Sequence, residues 1–143
     1  MEQKNFKKKI LIISSEFYPD ISENLFQGVK ETLDKEKIPF DKKAINGSLE
    51  IPFLLEKYKN NYLGYIILGC IIRGETEHYN VVKNISLEHI YRIAYSNLLP
   101  LSTALLTVEN YSQAIERSDI KKKNLGGKAA ISCIELIKKI NEV

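Results

Sequence analysis

Four short runs rich in branched aliphatic side chains, each followed by a stretch of helical period, leave this chain few ways to fold. The runs are Ile10–Ile13, Phe40–Ile45, Tyr65–Cys70 and Leu101–Thr107. The first and third are apolar throughout, as expected of strands covered on both faces. The second, FDKKAI, mixes charge with apolar residues and reads as an edge strand. After the first run, Ile21, Leu25, Val29 and Leu33 recur at helical spacing. Asp20 and Glu23, three residues apart at the start of that helix, predict a capping box. A short helix carries Phe53, Leu54 and Tyr58, and a longer one with Val82, Ile85, Ile90, Ile93 and Ala94 ends before Pro100. Ser112 to Ser118 gives another short helix, and a lysine turn with Gly126-Gly127 precedes the last, whose stripe is Ala130, Cys133, Ile134 and Ile137. Strand followed by helix four times requires parallel strands joined by right-handed crossovers, an α/β domain around a four-stranded parallel sheet. The chain of 143 residues is read as one domain, with residues 1–8 a flexible basic N-terminus.

Parallel strands place the loops that follow them on one edge of the sheet, where open α/β folds bind ligands. Those loops carry Phe17, then Ser48 and Glu50, then Cys70 to His78, then Thr107 to Asn110. The third is the richest: an apolar strand stops at two glycines, an arginine, two carboxylates, a threonine and one of only two histidines. Glycine lets backbone approach a ligand closely, and successive N–H groups of such a turn can bind an anion. His78 is the candidate proton carrier, since an imidazole exchanges protons near neutrality; read alone, such a residue is more often a solvated or capping loop histidine. His78 and His89 fall on different elements, so no metal site is expected. Gly-x-Gly-x-x-Gly, Walker and nucleophile-elbow patterns are absent. A small-molecule site with an anion pocket remains.

Composition narrows the partners. Net charge is +3, much of it from Lys4, Lys7–Lys9 and Lys121–Lys123, which have no aromatic nearby except Phe6. That pattern argues against a nucleic-acid face. No apolar run reaches the ~18 residues of a membrane span, and no signal peptide is recognised, so a cytoplasmic protein is expected. Cys70 and Cys133 are expected to be buried free thiols, and the Asn-x-Ser triplets at Asn46, Asn84 and Asn110 carry no weight without secretion.

Three blocks of this rim resemble the lumazine synthase family of riboflavin biosynthesis. Gly47-Ser48-Leu49-Glu50-Ile51-Pro52 is similar to its Gly-Ala-Phe-Glu-Ile-Pro motif. Leu68-Gly69-Cys70-Ile71-Ile72-Arg73-Gly74-Glu75-Thr76-Glu77-His78-Tyr79 resembles its Leu-Gly-x-Val-Ile-Arg-Gly-x-Thr-x-His-Tyr/Phe loop. Leu106–Asn110 with Gln113–Arg117 resembles its fourth-strand and following-helix signature. The blocks recur in order across roughly residues 9–140. The resemblance implies a flavodoxin-like three-layer sandwich and an enzyme that condenses 5-amino-6-(D-ribitylamino)uracil with 3,4-dihydroxy-2-butanone 4-phosphate, without metal or cofactor. It implies sites between subunits of a homo-oligomer (a pentamer or a multiple of it) and names riboflavin synthase as a candidate partner. A non-catalytic lumazine- or flavin-binding protein, or a shell-forming one, is the alternative on the same fold.

Residue roles follow from the same resemblance. Phe17 would stack on the pyrimidine, although it also suits a core position at a strand end. Ser48, Leu49 and Glu50 would hold the ribityl chain, for which an acceptor carboxylate fits a row of hydroxyl donors. Cys70, Ile71 and Ile72 would meet the pyrimidine edge, mainly through backbone. Glu75 and Thr76 would form the phosphate turn, Glu75 through its N–H alone. Arg117 would pair with phosphate in a neighbouring subunit, its planar fork meeting two oxygens; read alone, it pairs with Glu116 or Asp119. His78 would move protons, and Arg73 would brace the loop or an interface. The chain departs from the family pattern at Thr103, where a phenylalanine often packs on the pyrimidine from the neighbour, and at Leu125, where a lysine is common. Lys121, Lys122 or Lys123 is a candidate substitute for that charge. Glu16 precedes Phe17 where a basic or small residue is frequent.

Overall fold

In the computed structural model, residues 8–75 and 78–142 are described. The strands are β1 (Ile10–Ser15), β2 (Phe40–Ile45), β3 (Gly64–Ile72) and β4 (Leu101–Val108). They form one all-parallel sheet in the order β2-β1-β3-β4. The two most apolar strands are central, with every residue of β1 and β3 buried. β2 is at an edge, as its lysines and aspartate require: a charged residue is tolerated where one side of the strand meets water.

Helices α1 (Pro19–Lys35), α2 (Ile51–Tyr58), α3 (Tyr79–Asn97), α4 (Tyr111–Ser118) and α5 (Leu125–Ile140) connect the strands or close the chain. Strand alternation sorts the core into two halves. Ile10, Ile12, Ile66, Leu68, Leu106 and their neighbours face α1, α4 and α5. Leu11, Ile13, Tyr65, Ile67 and Leu105 face α2 and α3. Helix, sheet and helix thus make the three layers expected, and each fully buried aliphatic side chain contributes about 1.5–3 kcal/mol. α1 and α5 approach closely, because a Cβ on Gly126 would lie 2.1 Å from the carbonyl oxygen of Leu25. Cys70 and Cys133 are both free and buried.

Three local expectations are corrected. The capping box at Asp20 and Glu23 does not form. The helix starts two residues earlier than such a box requires, with Tyr18 at the N-cap and Pro19 in the first turn, which leaves Asp20 already helical. Glu23 instead accepts a hydrogen bond from Gln27 Nε2 at 2.7 Å. The third strand does not stop at Cys70 but continues through Ile72, because both added residues are apolar and pair with Thr107 and Val108 of β4. The last helix includes Gly126-Gly127 in its first turn, capped by Asn124, whose side chain accepts from Gly127 N at 3.1 Å.

Candidate active site

The strands run in one direction, so their carboxyl ends share an edge, and a cavity of about 210 Å³ opens there. It is lined by Phe17 from the loop after β1, by Gly47, Ser48, Leu49 and Glu50 from the turn after β2, by Cys70 and Ile71 near the end of β3, and by Val82 of α3. Six residues singled out from the sequence (Phe17, Ser48, Leu49, Glu50, Cys70 and Ile71) therefore meet in one hollow. Gly47 and Val82 complete the wall. Val82 reads in the sequence as part of an apolar helix stripe; its place one turn into α3, at the rim end of the sheet, is what brings it to the ligand side.

The hollow is held from behind. Ser15 donates its hydroxyl to the carbonyl of Asn46 at 3.1 Å, joining the loops after β1 and β2. Ser22 donates to the carbonyl of Ser15 at 2.6 Å, fixing α1 to the strand end. Glu16 is occupied on its own side of the rim, accepting from Ser14 at 2.9 Å and pairing with Lys42 at 3.5 Å. Phe17 is 62% exposed, so it is not a core aromatic. A planar ligand can lie against it. Burial, with the negative charge of Glu75 nearby, pushes the Cys70 thiol up to about 12. At neutral pH it is a neutral, unreactive part of the wall.

The turn after β3 is braced to β4. Arg73 donates its backbone N–H to the carbonyl of Val108 at 2.9 Å, and its Nε lies 3.1 Å from Glu109 Oε2. The guanidinium also sits 4.7 Å from the centre of the Tyr79 ring. Gly74 takes a positive φ of 85°, a turn conformation that favours glycine. Glu75 is exposed and accepts from the Tyr18 hydroxyl at 3.3 Å. Thr76 lies outside the described residues. His78 is exposed at the N-cap of α3 and makes no side-chain capping bond. Ile72 is fully buried among the side chains on the α1–α5 face, so only its backbone is directed to the rim: its carbonyl accepts from Glu75 N at 3.3 Å.

Glu75, His78, Arg117 and Thr103 do not line this cavity. Arg117 is half-buried in the last turn of α4 and has no ion-pair partner among the described residues. Asp119 is engaged elsewhere, its carboxylate accepting from Lys121 N at 2.8 Å. Thr103 is on β4, the other edge strand, beside a second cavity of about 350 Å³. Tyr91, Leu125 and Lys128 also line it. The lysine that stands beside Leu125 in this cavity is Lys128, one turn further along α5; Lys121, Lys122 and Lys123 are not in its wall.

An open parallel α/β sheet with a hollow at its carboxyl ends, walled by one aromatic face, a hydroxyl and a carboxylate, defines a small-molecule enzyme of the doubly wound class. Residues 7–141 match the sequence profile of the 6,7-dimethyl-8-ribityllumazine synthase family. The chain belongs to that family. It is 38% identical over 140 residues to the 6,7-dimethyl-8-ribityllumazine synthase of Bartonella tribocorum, covering 96% of this chain and 93% of that protein. The same-named protein of Bartonella henselae is 38% identical over 144 residues, with 96% and 93% covered. That of Agrobacterium fabrum is 37% identical over 144 residues, with 94% and 97% covered.

Proposed function

We propose that the chain condenses 5-amino-6-(D-ribitylamino)uracil with 3,4-dihydroxy-2-butanone 4-phosphate to give 6,7-dimethyl-8-ribityllumazine, phosphate and water. The observation that carries the reading is the meeting of Phe17, Ser48–Glu50 and Cys70–Ile71 in one hollow at the strand ends. The pyrimidine brings its own amine, which attacks the butanone carbonyl and loses water to form an imine. Loss of the proton on the hydroxyl-bearing carbon and of the neighbouring phosphate leaves an enol that tautomerises to a methyl ketone, and the ribityl-bearing nitrogen closes the second ring on that new carbonyl with loss of a further water. The protein needs only to position the two substrates, hold the phosphate and move protons. Phe17 takes one face of the ring, Ser48, Leu49 and Glu50 take the ribityl chain, and Cys70 to Ile72 take the pyrimidine edge. The turn at Glu75 and Thr76 takes the phosphate, and His78 moves the protons.

Among the described residues of one chain the hollow has no cation and no second ring face in its wall. A head-to-tail ring of subunits, a pentamer or a multiple of one, supplies both, with Arg117 of one copy reaching the phosphate turn of the next. The guanidinium of Arg117, without an ion-pair partner among the described residues, supports this assignment. So does the amount of exposed apolar surface: Phe53 is 77% exposed and Val81 52%, while Tyr95 and Leu98 on the far end of α3 are 77% and 69% exposed. Separate apolar regions of this kind suit a heterologous interface that closes into a ring. The test is a condensation assay with both substrates, together with light scattering. Lumazine formation by a ring-sized assembly is expected. An assembly that binds the pyrimidine without releasing phosphate would reduce the chain to a binding protein, and a monomer would remove Arg117 from the site.

A further inference from the structure

The cavity beside β4 has its own aromatic side chain. Tyr91, on α3, places its hydroxyl 3.1 Å from Oγ1 of Thr103 on β4. Each hydroxyl thereby satisfies the other at a half-buried position, and the link spans from the helix to the edge strand. The Tyr91 ring is further supported by Tyr95, with ring centres 5.7 Å apart and planes inclined by 35°. Among the residues that line this cavity Tyr91 is the aromatic one, and Thr103 is too small to offer a ring face. Phe17, in the loop after β1, offers one face to a planar ligand and is itself largely open to solvent. A heterocycle held on one face only keeps the other wet, and a second ring adds a contact that every flat base accepts.

We propose that Tyr91 is the ring this chain lays against the pyrimidine bound in an adjoining subunit, with Thr103 as the positioning residue that holds its hydroxyl. The proposal rests on the reading of the site as one shared between subunits. Tyr91 is suited to the role because its two ends are used differently. The phenol oxygen is fixed by Thr103, which lowers the entropy lost on binding, while the ring forms part of the cavity wall. Lys128 stands in the same wall and keeps the cavity polar at its margin.

Steady-state kinetics with each substrate varied in turn test the proposal on the assembled protein. Tyr91→Ala is expected to raise KM for the pyrimidine about tenfold, the size of a lost base–aromatic contact, with KM for the butanone phosphate unchanged. Tyr91→Phe, which keeps the ring and loses the tether, is expected to recover most of that affinity. Should Tyr91→Ala not assemble, Tyr91→Leu keeps the bulk without the ring and is expected to show the same loss. Mixed assemblies of Phe17→Ala and Tyr91→Ala subunits should exceed the mean activity of the two parents, because one class of boundary then unites an intact Phe17 with an intact Tyr91. An unchanged pyrimidine KM in the Ala and Leu variants, a Phe variant as impaired as they are, or mixtures no better than their parents would each overturn the role. Failure of the unaltered chain to form lumazine or to oligomerise would instead overturn the reading beneath it.

Discussion

Arg73 Nε lies 3.1 Å from Glu109 Oε2, joining the turn after β3 to the turn after β4. Both side chains are at least half exposed, so the pair itself contributes little to stability, on the order of 0–1 kcal/mol. Its position matters more. The guanidinium is also over the Tyr79 ring, the first residue of α3 and the neighbour of His78. Arg73→Ala is expected to lower kcat/KM by about tenfold through misplacement of the loop, while thermal unfolding shifts by only a few degrees. A large drop in Tm with activity per folded molecule unchanged would show that Arg73 serves the fold alone.

His78→Ala should slow turnover by about 10²-fold, the usual size for general acid–base help. The side chain is exposed and makes no capping bond, so stability should hardly change. Turnover and Tm measured on the same preparation check both halves. Complete loss of activity, or none, would each deny His78 the proton-transfer role.

The thiols offer a check that needs no substrate. Burial pushes both Cys70 and Cys133 up to about 12, Cys70 with the added effect of Glu75. Thiolate is the reactive form, so at pH 7.5 neither should react with iodoacetamide in the folded protein, and both should react once it is unfolded. Mass spectrometry of the alkylated protein distinguishes the cases. Rapid labelling of Cys70 would mean that the wall of the hollow opens in solution.

Acid stability has a named contributor. The Tyr62 hydroxyl donates to Asp41 Oδ2 at 2.7 Å, which with nearby Lys9 holds this carboxyl below its usual range. Burial and the Asp41 carboxylate raise the Tyr62 phenol in turn. A lowered carboxyl stabilises the fold above its unfolded pKa, and that contribution is lost as pH falls through the folded value. Tyr62→Phe should therefore destabilise the protein at pH 6, by about 1 kcal/mol for one partly exposed hydrogen bond, with the difference shrinking at a pH below the ordinary carboxylate range. Urea titrations at both pH values measure it. A difference that does not shrink in acid would point to lost packing of the ring rather than to Asp41.

The parallel sheet and the shared rim were legible because burial on both faces puts β1 and β3 inside the sheet and the alternation of strand with helix makes it parallel, whereas the order of the strands came from the structure alone. Edge position was legible in β2 from Lys42 and Lys43, whose charges need water. The start of α1 was misread, since Pro19 sets helical φ and lacks an N–H, and so takes the first turn that Asp20 seemed to cap. The end of β3 was misread because Ile71 and Ile72 adjoin a polar turn in sequence, while their pairing with β4 is a tertiary fact. The Tyr91–Thr103 contact left no local signal: it joins a helix residue to a strand across a loop, and either residue alone is unremarkable.

Gly126 shows how far a single methyl group can reach in this packing. It sits in the first turn of α5, where a Cβ would lie 2.1 Å from the Leu25 carbonyl oxygen and 3.0 Å from its Cα. The obstacle is helix backbone, which cannot swing aside as a flexible side chain would. Gly126→Ala must separate α5 from α1, and with it the contacts of Leu25, Ala129 and Ala130 in the larger core half. The ordinary gain of about 1 kcal/mol from replacing a helical glycine with alanine is then outweighed, and a net loss of about 1–3 kcal/mol is expected from overpacking. Chemical denaturation of the assembled protein measures it. A stability equal to or above that of the unaltered chain would mean that the two helices are not in such close apposition in solution.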